Sequence, residues 1–382
     1  MAVTEVTAPD APVAQQASGM LERVRIRNFR GLKDLQIKGL GRINLFAGRN
    51  NSGKTALLEA LSLLAGAGWP NLAFHRPVAR GADVLAEVEN TPGSEVSAVT
   101  IRESLWKPMF HGFDLRGRIA VEAQHSKLGN LSLFVEFARK KNVEITIGNL
   151  GGKSVAQLQD TLGFVYTSGE TGRVTSQAFL DDKSQPQAVY TGDSDADFNL
   201  PFPSAHVSTR GLGHLQDARS LGEVRRRKQG DRVLGALRII DPRLESIEEN
   251  TSSGVPMIWG DIGFDELVPL SAMGEGMARA ARLFIALIHI KGGIVMVDEI
   301  ENGFHHSVVP KVWEAIDEMS QEFGVQIFST THSRECVRAA HKALGDDGFV
   351  YHRLHADEDG NRCVTYDPIA LSGSFRHNFE IR

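Results

Sequence analysis

Charged and apolar side chains alternate along Arg23-Val24-Arg25-Ile26-Arg27, the period of a half-buried strand. Leu32, Leu35 and Ile37 continue the pattern beyond a turn at Phe29-Arg30-Gly31, which predicts a small sheet near the start of the chain. In Arg118-Ile119-Ala120-Val121-Glu122-Ala123-Gln124 the apolar Ile119, Val121 and Ala123 share one face, and Arg118, Glu122 and Gln124 the other. With the strand-like stretches 131–137 and 143–147 this predicts an antiparallel meander, turning at residues 127–130 and 140–142. Residues 69–100 have poor periodicity. Residues 151–203, rich in Gly, Ser, Asp and Gln, read as long loops with short strands.

Helical spacing returns from Leu215 to about Ile247, punctuated by Pro242. Beyond Asp261 the pattern predicts a helix at 275–290, a buried strand at 294–297, an amphipathic helix at 308–323 and a second buried strand at 325–330. Such alternation points to a sheet flanked by helices. Residues 349–354 and 363–366 flank Asp357-Glu358-Asp359-Gly360-Asn361 as a hairpin, and its Asp-x-Asp reads as turn chemistry.

The 382 residues, 42% hydrophobic and 23% charged, suit a soluble protein of two or three lobes. The expected division is a disordered tail at 1–20, an N-terminal lobe at 21–70, a β-rich subdomain with loops at 71–203, a helical insertion at 204–260 and a C-terminal lobe at 261–382. Residues 1–19 lack the basic start and apolar core of a secretory signal. Cys336 and Cys363 read as plain thiols in a reducing cytoplasm. No apolar stretch is long enough to span a bilayer, so no membrane partner is expected. The net charge of −5 gives no global basic field, and nucleic-acid contact would need a local patch. Arg225-Arg226-Arg227-Lys228 invites that role, but short charge runs usually mean a solvated helix face.

Chemistry concentrates at Gly48-Arg49-Asn50-Asn51-Ser52-Gly53-Lys54-Thr55, which fits GxxxxGK[ST] between the apolar run 43–47 and a helix opened by Ala56. Backbone N–H groups of such a loop curl around a β-phosphate, Lys54 reaches the β and γ oxygens, and the Thr55 hydroxyl ligates Mg²⁺. Asp298 and Glu299 end a buried strand at the same edge of the sheet. There Asp298 suits Mg²⁺ through its water shell, and Glu299 suits the water that attacks the γ-phosphate. His332 ends the next strand, where it can bond the γ-phosphate or that water. Ser271 and Gly274 precede the 275–290 helix, whose N-terminus offers an anion site or simply a cap.

The ordered set Asn28-Phe29-Arg30-Gly31-Leu32, the loop 48–55, Leu270-Ser271 with Gly274-Glu275-Gly276, the run Asp298 to Gly303, and Thr331-His332-Ser333 resembles the ATP-binding-cassette ATPases of the SMC type. It is more similar still to the ATPase module of the OLD (overcoming lysogenization defect) nuclease family and its stand-alone AAA-family relatives. The resemblance covers both ends of the chain well and the middle poorly. It implies an α/β P-loop head of the ABC type, with a mixed sheet, an antiparallel β subdomain and a helical insertion. It also implies a homodimer in which Ser271 and its loop touch the γ-phosphate of ATP held by the second subunit, although Ala272 and Met273 replace the glycines of the LSGGQ form. Glu301-Asn302-Gly303 would cross that interface, His332 would act as the switch histidine, Gln124 as a metal-sensing glutamine, and Arg30 would lie near the nucleotide. No Toprim nuclease is expected, because only a short stretch follows His332.

The implied activity is hydrolysis of ATP with Mg²⁺, switching a nucleic acid or a separately encoded nuclease or other effector in phage defence or DNA repair. Two alternatives stay open: a nucleotide-gated binding module with negligible turnover, and the ATPase subunit of a transporter.

Overall fold

The computed structural model describes residues 19–67, 106–146, 154–169, 172–180, 186–192, 202–207, 214–251, 254–345, 348–357, 360–366, 371 and 373. The expectations for 69–100, for the tail before residue 19 and for Asp359 lie outside them. The N-terminal alternation becomes a hairpin of β1 (Leu21–Phe29) and β2 (Leu32–Lys38), closing at the pair Phe29 and Leu32. β3 (Ile43–Gly48) leads into the helix α1 (Lys54–Ala65). The meander then runs β4 (Ile119–His125), β5 (Gly129–Thr146), β6 (Ser154–Ser168), β7 (Gly172–Leu180) and β8 (Pro186–Gly192). Together with the hairpin it makes a seven-stranded antiparallel sheet in the order β2-β1-β4-β5-β6-β7-β8.

Two expectations fail in this sheet. The turn at 140–142 is absent: β5 continues through Arg139-Lys140-Lys141-Asn142, with a register shift between Ala138 and Lys141. Residues 154–168, 172–180 and 186–192 form strands rather than long loops with short strands. The reason is common to both. Backbone pairing sets the length of a strand, and a sheet with one solvated face accepts polar side chains that look loop-like in the sequence.

The second sheet has the order β16-β15-β3-β14-β13-β9, built from β9 (Ser204–Val207), β13 (Ile294–Val297), β14 (Gln326–Thr331), β15 (Phe349–Asp357) and β16 (Gly360–Tyr366) around β3. Every pairing is parallel except that of β15 with β16, the expected hairpin, so the sheet is mixed. Residues 204–207, expected within a helical insertion, instead supply its edge strand. The insertion itself holds α2 (His214–Arg226) and α3 (Gly230–Leu237). It continues into a three-stranded sheet of β10 (Ser246–Asn250), β11 (Met257–Asp261) and β12 (Val268–Pro269). Arg225 pairs with Glu249 and Arg227 with Glu223, as a solvated helix face would.

The mixed sheet is buried on both faces, and the alternation of its strands divides two cores. Ile43, Leu45, Val295, Val297 and Ile327 pack with the helices α4 (Glu275–His289), α5 (Val309–Phe323) and α6 (Arg334–Leu344). Phe46, Ile294, Met296 and Phe328 face the opposite way, into a core shared with α1 and the antiparallel sheet. α1 is buried at every position but Thr55, as a helix sandwiched between two sheets must be. Its first residues therefore emerge at the C-terminal edge of the mixed sheet, next to the ends of β13 and β14.

Candidate nucleotide site

The phosphate loop leaves β3 at Gly48 and enters α1 through Gly53, whose φ of 97° favours glycine and where a Cβ would collide with Leu32 of the β1–β2 hairpin. The hairpin and the loop are thus fitted to each other. Lys54 is only 5% exposed, and its ammonium donates to the Gly48 and Arg49 carbonyls at 2.8 and 2.9 Å. Burial pushes its pKa down to about 8, against the opposing pull of Asp298, Glu299 and Glu301.

A cavity of about 600 Å³ opens over the loop, lined by Arg30, Gly31, Asn50, Asn51, Gly53, Lys54, Thr55, Ala56 and His332. Gly48, Arg49 and Ser52 do not line it; Gly48 and Arg49 hold Lys54, and Ser52 is buried in the loop. Arg30 has a left-handed φ of 52° and forms a 2.5 Å ion pair with the buried Glu59 of α1. Its backbone N–H donates to Met109 at 2.8 Å.

Asp298 and Glu299 do not line the cavity but lie beside it: Thr55 Oγ1, which does line it, is 3.4 Å from Asp298 Oδ1, joining residues 243 positions apart. The hydroxyl of Thr330 donates to the same Asp298 oxygen at 2.6 Å and accepts the Glu299 N–H at 2.8 Å. Glu299 itself adopts a left-handed φ of 47°. Its carboxylate lies 3.8 Å from His332 Nε2, with both side chains about two-fifths exposed (41% and 38%). Glu301 turns inward and accepts from the backbone N–H groups of His332 and Ser333 at 3.0 and 3.1 Å. Behind the acids, Arg279 is 3% exposed and donates to the carbonyls of Asp298 and Glu299. Burial pushes its pKa down.

Thr330, Arg279 and the inward role of Glu301 escape sequence reasoning. A threonine at a strand end is unremarked, and an arginine in a helix reads as solvated. In Arg279 the available signal was its position on a helix face shared with Gly276, Ala280 and Leu283, all buried.

Ser271, Gly274 and Gln124 stand apart from both the cavity and the acids beside it. Ser271 and Gly274 are exposed at the tip of α4, and the residue capping that helix is Gly274. Gln124 pairs with Arg23, toward the end of β1 away from Arg30, so the register carries it away from the phosphate loop. The donors that do converge, Thr55 and Asp298, are all-oxygen and suit Mg²⁺, which completes its octahedron with waters and phosphates. Among the described residues no cluster of three or more His, Cys, Asp or Glu side chains stands ready for a metal ion.

A family model described as an AAA ATPase domain matches residues 20–171, and one described as "AAA domain, putative AbiEii toxin, Type IV TA system" matches residues 173–337. Along 351 residues the chain is 24% identical to an ATP/GTP phosphatase of Helicobacter pylori, covering 87% of this chain and 90% of that protein. The chain is an ATPase, both halves of which match AAA-type domain models.

The ATPase is also 40% identical over 57 residues to an OLD nuclease of Thermus scotoductus, 15% of this chain and 11% of that protein. Over 45 residues it is 47% identical to the DNA replication and repair protein RecF of Cellvibrio japonicus, 12% of each. Among solved structures, an SMC head bound to the C-terminal winged-helix domain of ScpA aligns with a TM-score of 0.49 at 12% identity, covering 91% of this chain and 98% of that one. No helix among the described residues of the ATPase is long and apolar enough to cross a membrane.

Proposed function

We propose that this ATPase hydrolyses ATP in the cavity over the phosphate loop and that two copies close around the nucleotide. The observation that carries it is the convergence of Lys54, Thr55, Asp298, Glu299 and His332 at one sheet edge, from two segments more than 240 positions apart. The loop N–H groups and Lys54 bind the phosphates; Arg30 and Asn51 line the entrance. Thr55 and Asp298 are the residues to hold Mg²⁺, which when bound neutralises charge on the phosphate oxygens. Glu299 orients the attacking water, and His332, beside it, donates toward the γ-phosphate as charge develops there.

The exposed position of Ser271 and Gly274, off the cavity, is what a contact to a second copy's nucleotide requires. The relatives named OLD nuclease and RecF, and the toxin–antitoxin family description, support a nucleic acid or a separate nuclease as the switched partner, in phage defence or DNA repair. The test is steady-state phosphate release with Mg²⁺–ATP, wild type against Glu299→Gln. A wild-type rate cut to a small but measurable remainder in the variant is expected, with ATP trapping the variant as a dimer in sedimentation; equal, near-zero rates reject hydrolysis.

A further inference from the structure

We propose that Arg279 is a positioning residue for Glu299, coupling the tip of α4 to the hydrolysis step; the proposal rests on Glu299 acting as the water-orienting group. A guanidinium that is 3% exposed has given up most of its hydration, which only good hydrogen bonds offset. Arg279 directs one of its nitrogens at two consecutive carbonyls, those of Asp298 and Glu299. Two successive carbonyls converge on one donor only where the chain bends sharply, and Glu299 carries the bend with its φ of 47°, a conformation L-residues rarely adopt. Such a backbone persists only where its surroundings over-determine it. Here Arg279 grips it from one side and the Thr330 hydroxyl, through the Glu299 N–H, from the other.

The same helix face grips the loop a second time. Gly276 lies one turn before Arg279, and a Cβ there would collide with the Gly303 carbonyl. Gly303, with φ 83°, lies so close that a Cβ added to it would come within 3.2 Å of the Gly276 backbone. Residues 298–303 are therefore held to α4 at both ends, and this contact leaves no room for a side chain to cushion it. The tip of α4 is also where Ser271 and Gly274 are exposed. A shift of that tip, on meeting a second copy's nucleotide, moves Arg279 and the Glu299 backbone together. Arg279 bonds the Asp298 and Glu299 carbonyls and so acts through Glu299.

The experiment is a double-mutant cycle of Arg279→Lys and Glu299→Gln, read as kcat and KM for phosphate release alongside binding of a fluorescent ATP analogue. Lysine keeps the charge but not the planar fork. Arg279→Lys is expected to lower kcat by about ten- to a hundredfold, the scale of a misplaced catalytic group, while KM and analogue binding hold. In the Glu299→Gln background it is expected to add nothing. Losses that multiply in the double variant, or that fall equally on binding and turnover, would assign Arg279 a merely structural role and overturn the proposal. If wild-type turnover is insensitive to Glu299→Gln, the hydrolysis reading fails instead, and the two failures are told apart. Should Arg279→Lys melt well below wild type, Arg279→Gln is read in the same cycle.

Discussion

The Thr330 hydroxyl sits 2.6 Å from Asp298 Oδ1, donating to that carboxylate while accepting the Glu299 N–H at 2.8 Å. One small side chain thus orients both acids of the site. Thr330→Val keeps the shape and removes both bonds, leaving a backbone N–H without its acceptor. We expect a stability loss of about 1–3 kcal/mol by urea unfolding and a fall in kcat larger than any rise in KM. An unchanged kcat would mean that the acids need no such brace.

Glu301 offers a graded test of the histidine turn. Glu301→Gln retains an acceptor for the His332 and Ser333 N–H groups and loses only the charge at the start of α6, a helix-dipole effect of about 0.3–1 kcal/mol. Glu301→Ala removes this acceptor from the His332 N–H and leaves the Ser333 N–H only the Thr331 hydroxyl. Turnover and melting temperature should therefore follow the order wild type, Gln, Ala, and equal effects of the two variants would contradict the hydrogen-bond role.

Lys54 makes nucleotide affinity sensitive to alkali. With its pKa at about 8, against 10.5 unperturbed, the free protein loses the ammonium proposed to bind phosphate as pH rises through 8. KM for ATP should climb above that pH while bound phosphates hold the proton on. Stability runs oppositely: between pH 8 and 10.5 the unfolded chain binds the proton that the folded one has shed. The free protein should gain up to about 1.4 kcal/mol per pH unit from this group across that window. Lys54→Met should flatten both profiles in binding titrations and in denaturant melts.

His352 governs the acid side. It is fully buried, stacked on Phe46 at 4.6 Å between ring centroids, and its ring nitrogens meet Thr365 Oγ1 and Asn44 Oδ1 at 3.0 and 3.3 Å. Burial pushes its pKa down to about 3. Between pH 6.5 and 3 the unfolded chain takes up a proton that the folded chain refuses, so stability falls as the solution is acidified. His352→Gln should shallow that fall in acid melts; an unaltered slope would assign it to other groups.

Gly53→Ala is expected to abolish binding of the ATP analogue, since the added methyl meets Leu32 and the φ of 97° becomes strained. Circular dichroism should still report a folded protein.

The parts of the site legible in the sequence were those whose chemistry demands a residue type at a fixed spacing. The loop 48–55, the acids at the end of β13 and His332 at the end of β14 each follow an apolar strand, and the fold brings them to one edge. What was hidden depends on partners distant in the chain. Arg279 looks like any helix arginine until α4 is laid against residues 298–303, and Gln124 looks like a candidate ligand until the register sets it beside Arg23. Likewise β5 to β8 are long because each strand hydrogen-bonds its neighbour, not because their side chains announce it.

β3 emerges early in synthesis, yet in the mixed sheet it lies between β14 and β15, nearly three hundred positions downstream. A ribosome-bound nascent chain therefore carries the whole glycine-rich loop long before the strands that flank it exist. Loop-closure entropy makes such distant pairings slow to form. Until they do, Phe46 has neither Phe328 nor His352 to lie against, and the early segment is aggregation-prone apolar strand rather than enzyme. On the proposed reading, competence for nucleotide waits until β14 and β15 have both been made.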